Sequence, residues 1–332
     1  MELILADAKR MELAFIEEIT SLDIELSSKE TNDYELSMSR ELFSRFKLNR
    51  DCSFFVPNTE YGGFLEEVET NTNSNLIIYR GYTWRGLLQQ IIIEPPLGQA
   101  YKIVTGDAHD IIRALLVGCG VLFKVAEEKS GVTFTNYKFN RYTNLHDGLV
   151  KMLSSKGYKI RIRSMQGTAN QPYEVYLEVT KIINHTEDLE FNGDDKVNVT
   201  IKDYKRGVNH LICLGKGELV ERQVIHLYAQ LDGSISQDKK YFIGKYERTD
   251  IYDYSNVESL EELISEGKKK LKELMDYKSS SMTIIDHELD IGDVVSSRDR
   301  DQKIIMSAPI VSKIIRIQDG IVQIEYKFEG SD

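Results

Sequence analysis

The stretch Gly207-Val-Asn-His-Leu-Ile-Cys-Leu-Gly-Lys-Gly-Glu-Leu219 decides the fold class, because a nucleotide-binding reading and a β reading compete for it. A Walker-type phosphate loop needs four residues between its glycines, then Lys and Ser or Thr, with a helix N-terminus aimed at the phosphate. Here Gly215 and Gly217 enclose only Lys216, and Glu218 follows, a carboxylate where a phosphate would sit. A dinucleotide fingerprint fails as well. No third glycine stands at the required offset, and the residues that follow, with Val224, Ile225, Leu227 and Tyr228, are β-formers rather than the start of a helix. The stretch therefore predicts two strands joined at a glycine-containing turn.

Outward from it, the C-terminal side continues in the same way. After an acidic linker at 187–195, residues 197–201, 209–214 and 220–229 read as strands, followed by the turn Asp232-Gly233. Ser255-Asn-Val-Glu258 has the spacing of a capping box, and Val257, Leu260, Ile264, Leu271 and Leu274 form one apolar side of a helix running towards Asp276. Gly267 interrupts that helix at a cost of about 1 kcal/mol, so a kink or break is expected there. Residues 313–318 and 321–328 predict a hairpin across Asp319-Gly320, with Val322, Ile324, Tyr326 and Phe328 on one face.

On the N-terminal side, residues 22–93 are mostly β. Ile24 and Leu26 pair with Tyr34, Leu36 and Met38, and 52–56 pair with 63–68 across a turn at 57–62. A third strand over 76–79 enters a short helix capped by Thr83, which ends before Pro95-Pro96. Residues 101–179 are mixed. Asp107 and Asn144 each cap an amphipathic helix, one ending near Gly118 and the other at Gly157. Ile160 and Ile162 alternate against Val175, Leu177 and Val179 as an antiparallel pair. The expected organisation is α+β and mainly β: a first β module at 1–98, an α/β insert at 99–190, and a second β module at 191–332 that includes a helix at 256–277.

At 332 residues the chain has room for more than one core. Charged residues at 29% and hydrophobic residues at 41% are ordinary for a globular protein. A net charge of -11 argues against adhesion to nucleic acid, although a wall that repels phosphate would let a duplex pass. Neither a secretory signal nor a membrane-spanning run is present in the sequence, so synthesis and folding in a cytoplasm are expected. Cys52, Cys119 and Cys213 are far apart and form no Cys-x-x-Cys pair, which indicates neither a disulfide framework nor a zinc site, and at least two of them are expected to be buried free thiols.

The candidate chemistry is thin. His109, His146, His185, His210, His226 and His287 form no zinc-hydrolase pattern, and His210, beside Asn209 at the start of an apolar strand, is expected to satisfy backbone. No Gly-x-Ser-x-Gly elbow exists. Carboxylates cluster at Asp194 and Asp195, at Asp286, Glu288, Asp290 and Asp293, and at Asp299 and Asp301, yet none completes a calcium loop, and solvated turns account for them. Trp84 and the tyrosines and phenylalanines are candidates for stacking on sugars, but Tyr241, Phe242, Tyr246, Tyr252 and Tyr254 suit cross-strand pairs or interface anchors better. No catalytic, cofactor-binding or metal-binding residue is assigned.

The chain-wide pattern resembles the tail-hub family of siphophages and prophages, proteins of the distal tail tip. The segments that carry the resemblance keep the family's order from end to end. They are Leu5-Ala-Asp7, Phe55-Val-Pro-Asn-Thr-Glu-Tyr-Gly-Gly63, Gly81-Tyr-Thr-Trp-Arg-Gly-Leu-Leu88, Phe139-Asn-Arg-Tyr142, the opening stretch 207–219, and Ile291-Gly-Asp-Val-Val-Ser-Ser-Arg-Asp299. The resemblance implies two β-barrel-like hub modules with the α/β module between them, and a homotrimeric ring that continues the tail tube. Implied partners are a distal tail ring protein, a fibre, spike or lysin, and a tape-measure protein, with DNA only as passing cargo and no membrane insertion. Such a protein is assembled in the host cytoplasm and ends in a virion, a prophage particle or a tail-derived bacteriocin. Longer relatives append lytic or fibre domains, and the last hub strand is expected at Tyr326-Lys-Phe-Glu-Gly330, so lytic activity is expected from another polypeptide. The competing expectations are a tail-associated cell-wall hydrolase using carboxylates such as Asp293 and Asp299 or a His and Cys pair, and a carbohydrate-binding adhesin using Trp84.

Overall fold

The computed structural model describes residues 2–16, 19–118, 122–168, 170–186, 190–191, 198–255, 257, 259–275, 277–284, 289–299, 304–318 and 320–330. They form two compact units, residues 1–199 with 281–328, and residues 200–280 with 329–332.

The first unit is layered. In its large sheet the strands Ile321–Gly330, Ile304–Gln318, Ser21–Ser27, Asp33–Ser39, Leu76–Tyr82 and Glu67–Thr70 are neighbours in that order. The C-terminal strands therefore pair with the N-terminal hairpin, Ile315 standing opposite Ile24 on one side and Ile324 on the other. Val294–Asp299 extends the sheet along the first part of Ile304–Gln318. The period-two alternation is clean: Leu22, Ile24, Leu26, Tyr34, Leu36 and Met38 point into the core, while Asp23, Asp33 and Glu35 point out.

A four-stranded sheet, in the order Glu12–Ile16, Leu3–Ala6, Ser53–Phe55 and Gly62–Phe64, forms the middle layer. Leu3–Ala6 is apolar at every position and is buried throughout. Leu3 and Leu5 join the large sheet's core, which includes Ile24, Tyr79 and Tyr326, and Ile4 and Ala6 join a second core with Trp84, Leu149 and Leu177. Phe54 and Phe55 are divided in the same way. The second core is closed by the helices Trp84–Gln89, Ala108–Leu115 and Leu145–Ser154, and by a small sheet of Phe123–Val125, Glu174–Lys181 and Tyr158–Met165. All three helix starts follow the sequence signals, with Thr83, Asp107 and Asn144 accepting from the backbone N–H of Gly86, His109 and Asp147.

Among the described residues no sheet closes into a barrel. Glu67–Thr70 and Glu12–Ile16 each have one neighbouring strand and leave an open edge. The cause lies in the doubly apolar Leu3–Ala6 strand, whose sheet must be covered on both faces and so becomes a layer between two cores.

In the second unit the strands Ile235–Ser236, Val224–Ala229, His210–Leu214 and Thr249–Asp253 are adjacent in that order. The helix Leu260–Leu274 covers one face, burying Leu263 and Leu271 against Leu211, Cys213, Ile225 and Leu227. Two details differ from the sequence expectation. The second strand of the opening stretch starts at Val224 rather than 220, because Gly217 (φ +102°) and Leu219 (φ +50°) turn the chain into a single 3₁₀ turn over Leu219–Glu221. The helix is capped by Ser259 rather than Ser255, the Ser259 side chain accepting from Glu262 N. Ser259-Leu-Glu-Glu262 has the spacing of a second capping box directly after the first, of which Asn256 and Glu258 lie outside the described residues.

Gly267 does not break the helix. A Cβ placed there would lie 2.5 Å from Cys213 Sγ and 2.8 Å from Leu227 Cδ1, so the glycine lets the helix backbone approach the sheet. Ser259→Ala leaves the Glu262 amide without its side-chain acceptor, and a loss of about 1 kcal/mol is expected for this unit, measured as a shift in denaturant midpoint at unchanged m.

Candidate functional site

Two of the quoted segments, 55–63 and 81–88, fold against each other in the first unit. The strand Ser53–Phe55 turns through 57–61 into Gly62–Phe64, and Gly63 bridges to Thr83 at the start of the helix Trp84–Gln89. Trp84 is fully buried and its indole N–H donates to Ser164 Oγ at 2.9 Å. Phe64 meets it edge-on, and Tyr173, which stacks on Phe55 at 4.3 Å, tilts against it. Gly62 has no space for a side chain, since a Cβ would stand 2.7 Å from Phe54 O and from the indole ring. Burial pushes the Tyr173 phenol up to about 12, and its hydroxyl donates to Ser53 Oγ.

Next to Trp84, Arg85 and Glu60 form a buried ion pair at 2.5 Å. They line a polar cavity of about 170 Å³ together with Asn58, Thr59, Arg161, Arg163, Asp290 and Lys313. Three further charges of its wall are engaged: Arg163 pairs with Glu178, Asp290 pairs with Lys159 at 3.1 Å, and Lys313 lies over the Tyr61 and Tyr326 rings. These pairs act as structural cross-links, each joining residues distant in sequence.

The carboxylates weighed in the sequence fare differently. Asp293 is buried, accepts from Ile183 N at 2.8 Å and pairs with Lys159 at 2.7 Å, so it is already neutralised. His185 stands 3.7 Å from it. Asp194, Asp195, Asp286, Glu288 and Asp301 lie outside the described residues, as do His287, Cys119 and Asp319, and nothing is described of the Asp299 side chain. His109 is structural, its Nε2 accepting from Val179 N at 3.0 Å. His146 is fully buried against Asp147, and burial lowers its pKa. Cys52 and Cys213 are buried free thiols, and burial pushes Cys213 up to about 11, away from nucleophilic reactivity. Among the described residues no three His, Cys, Asp or Glu side chains converge on a metal position, and no helix is long and apolar enough to cross a membrane.

In the second unit, the Asn209-His210 pair of the opening stretch is occupied from two sides. Asn209 Nδ2 donates to Tyr246 O and its Oδ1 accepts from Arg248 N, while His210 meets Glu247, Thr249 and His226. The backbone role expected of His210 is carried by its neighbour Asn209 instead, the His210 ring meeting side chains. Ser164, Tyr173 and Lys159 carry no local sequence signal, because their partners lie on other elements.

No family profile matches the chain, and no curated protein matches it in sequence. Solved structures do match. The 43 kDa tail protein of prophage MuSo2 from Shewanella oneidensis superimposes at TM-score 0.54 with 14% identity, covering 99% of this chain and 98% of that one. The chain has the fold of a prophage tail protein. A tail protein from Neisseria meningitidis MC58 gives TM-score 0.52 and 13% identity over 99% of this chain and 96% of that one. The tail-protein fold thus runs across nearly the whole chain, and its mainly β, α+β character agrees with the sequence reading.

Proposed function

We propose that this chain is a structural, non-enzymatic component of a phage, prophage or tail-derived bacteriocin tail tip or baseplate hub. In this reading it assembles as a homotrimeric ring that continues the tail tube. A distal tail ring protein lies on one side, a fibre, spike or lysin on the other, and the tape-measure protein and DNA pass through.

The observation that carries the reading is the end-to-end match to two tail proteins. The outer face of the large sheet adds support. Asp23, Glu25, Asp33, Glu35, Glu67, Glu69 and Glu325 outnumber the basic residues Arg80, Arg316 and Lys327 that pair among them. Burial and the neighbouring carboxylates raise the pKa of Glu25 and Asp33, a sign of crowded negative charge. A wall of this kind repels phosphate and suits a passage through which a duplex moves.

The test is co-expression with the adjacent tail ring protein, followed by native mass spectrometry and electron microscopy. A ring containing three copies is expected. A chain that remains monomeric at high concentration beside its ring partner would overturn the reading.

A further inference from the structure

We propose that His210 and His226 form a pH-sensitive latch that ties the 237–249 segment to the sheet of the second unit and releases it on acidification. The inference stands on side-chain geometry within that unit and does not depend on the ring reading. His210 Nε2 and His226 Nδ1 are 2.8 Å apart across the strands His210–Leu214 and Val224–Ala229. Their rings stack on each other at 5.1 Å and His210 stacks on Tyr228 at 4.4 Å.

The other nitrogen of His210 is bound to the segment in question. Its Nδ1 lies 2.9 Å from Glu247 Oε1 and 3.0 Å from Thr249 Oγ1, and Lys239 closes the cluster on Glu247 at 2.7 Å. The charged and titratable groups facing His210 are therefore Glu247, Lys239, His226 and Tyr228. The helix Leu260–Leu274 packs on the opposite face of the sheet, over Cys213.

A nitrogen-to-nitrogen hydrogen bond needs one ring with a free lone pair. With both rings neutral, or with one proton on the pair and Glu247 beside it, that condition is met. A second proton removes the lone pair and sets two cations in contact, and Glu247 can balance only one of them. Glu247 stays ionised through this range because the Lys239 ammonium holds its carboxyl below the ordinary value. Burial lowers the His210 pKa, so the folded unit binds protons less readily than the unfolded chain. The stabilisation is accordingly present above the ordinary histidine range and is lost as pH falls below that range and through the lowered value. The released segment carries Tyr241, Ile243 and Tyr246, all already exposed, and it would keep its hydrogen bonds to Asn209 at Tyr246 and Arg248 and to Gln230 at Asp238.

The experiment is hydrogen exchange with mass readout on the full-length, chelator-treated protein from about pH 7.5 to 5.5, corrected for intrinsic exchange. Protection of peptides spanning 237–253 is expected to fall about tenfold per pH unit once a single linked proton governs opening. His226→Phe keeps a ring for the stack but cannot titrate, and its protection is expected to be independent of pH. Should His210→Gln fail to fold, the exposed His226 still allows the test. Constant protection in the wild-type protein overturns the proposal, as does an acid-induced loss that survives His226→Phe.

Discussion

Trp84→Ala is expected to lower the stability of the first unit by about 3–5 kcal/mol, the range found when a large buried aromatic is truncated in a core that cannot collapse around the gap. Trp84 is fully buried between the middle sheet and the three helices of the second core. Its environment is rigid: Gly62 sits against the indole ring, Tyr173 is fixed by Phe55 and Ser53, and Thr83 ties the helix start to Asn32 O. Trp84→Phe retains part of the packing but leaves Ser164 Oγ without its donor, and about half that loss is expected. Trp84 is the chain's only tryptophan, so unfolding has to be followed by far-UV circular dichroism or calorimetry. The buried ring is not available to stack on a surface sugar. A variant at this position that lost glycan binding would be reporting unfolding.

The parts of the fold legible in sequence are those set by neighbours along the chain. Three helix caps, the hairpin of Ser21–Ser27 with Asp33–Ser39, and the antiparallel pair Tyr158–Met165 with Glu174–Lys181 each follow from local spacing. Where two local signals adjoined, as with Ser255 and Ser259, spacing could not choose between them. Val257 is buried in the unit's core from a position outside the helix, and this favours the later cap. Gly267 was misread because its reason is a sulfur atom on another strand, which no helical pattern displays. The return of Ile304–Gln318 to Ser21–Ser27 is a pairing across nearly the full chain and has no local mark. The same holds for the site residues. Glu60 and Arg85 stand in a loop and a helix 25 residues apart with no spacing that links them, and only the fold buries them together.

Breaking the Lys159–Asp293 pair is expected to cost about 3–5 kcal/mol when Lys159 is removed, because buried Asp293 then loses its ammonium partner, and less when Asp293 is removed, because Lys159 keeps Asp290 at 3.1 Å. Lys159, on the strand Tyr158–Met165, and Asp293, at the entry to Val294–Asp299, are almost completely inaccessible. Asp293→Asn separates the contributions, since the amide oxygen can still accept from Ile183 N while the charge is gone. Asp293→Ala loses both, and an additional loss of about 1 kcal/mol is expected from the orphaned amide. Lys159→Met combined with Asp293→Leu removes both charges, and stability is expected to recover well above either single variant, which a double-mutant cycle measures directly. A simple sum of the single losses would show that the two residues act independently and would remove the cross-link from the account of this unit. A pH signature accompanies the cycle. Burial opposes ionisation of Asp290, yet Lys159, helped by Lys313 and Arg161, holds its carboxyl below the usual range. A lowered carboxylate stabilises the fold above the ordinary aspartate range and loses that contribution as pH falls through the lowered value. Replacing Lys159 by Met removes the main attractive partner, so the variant's unfolding free energy is expected to fall less steeply than that of the wild-type protein as pH drops below the ordinary aspartate range.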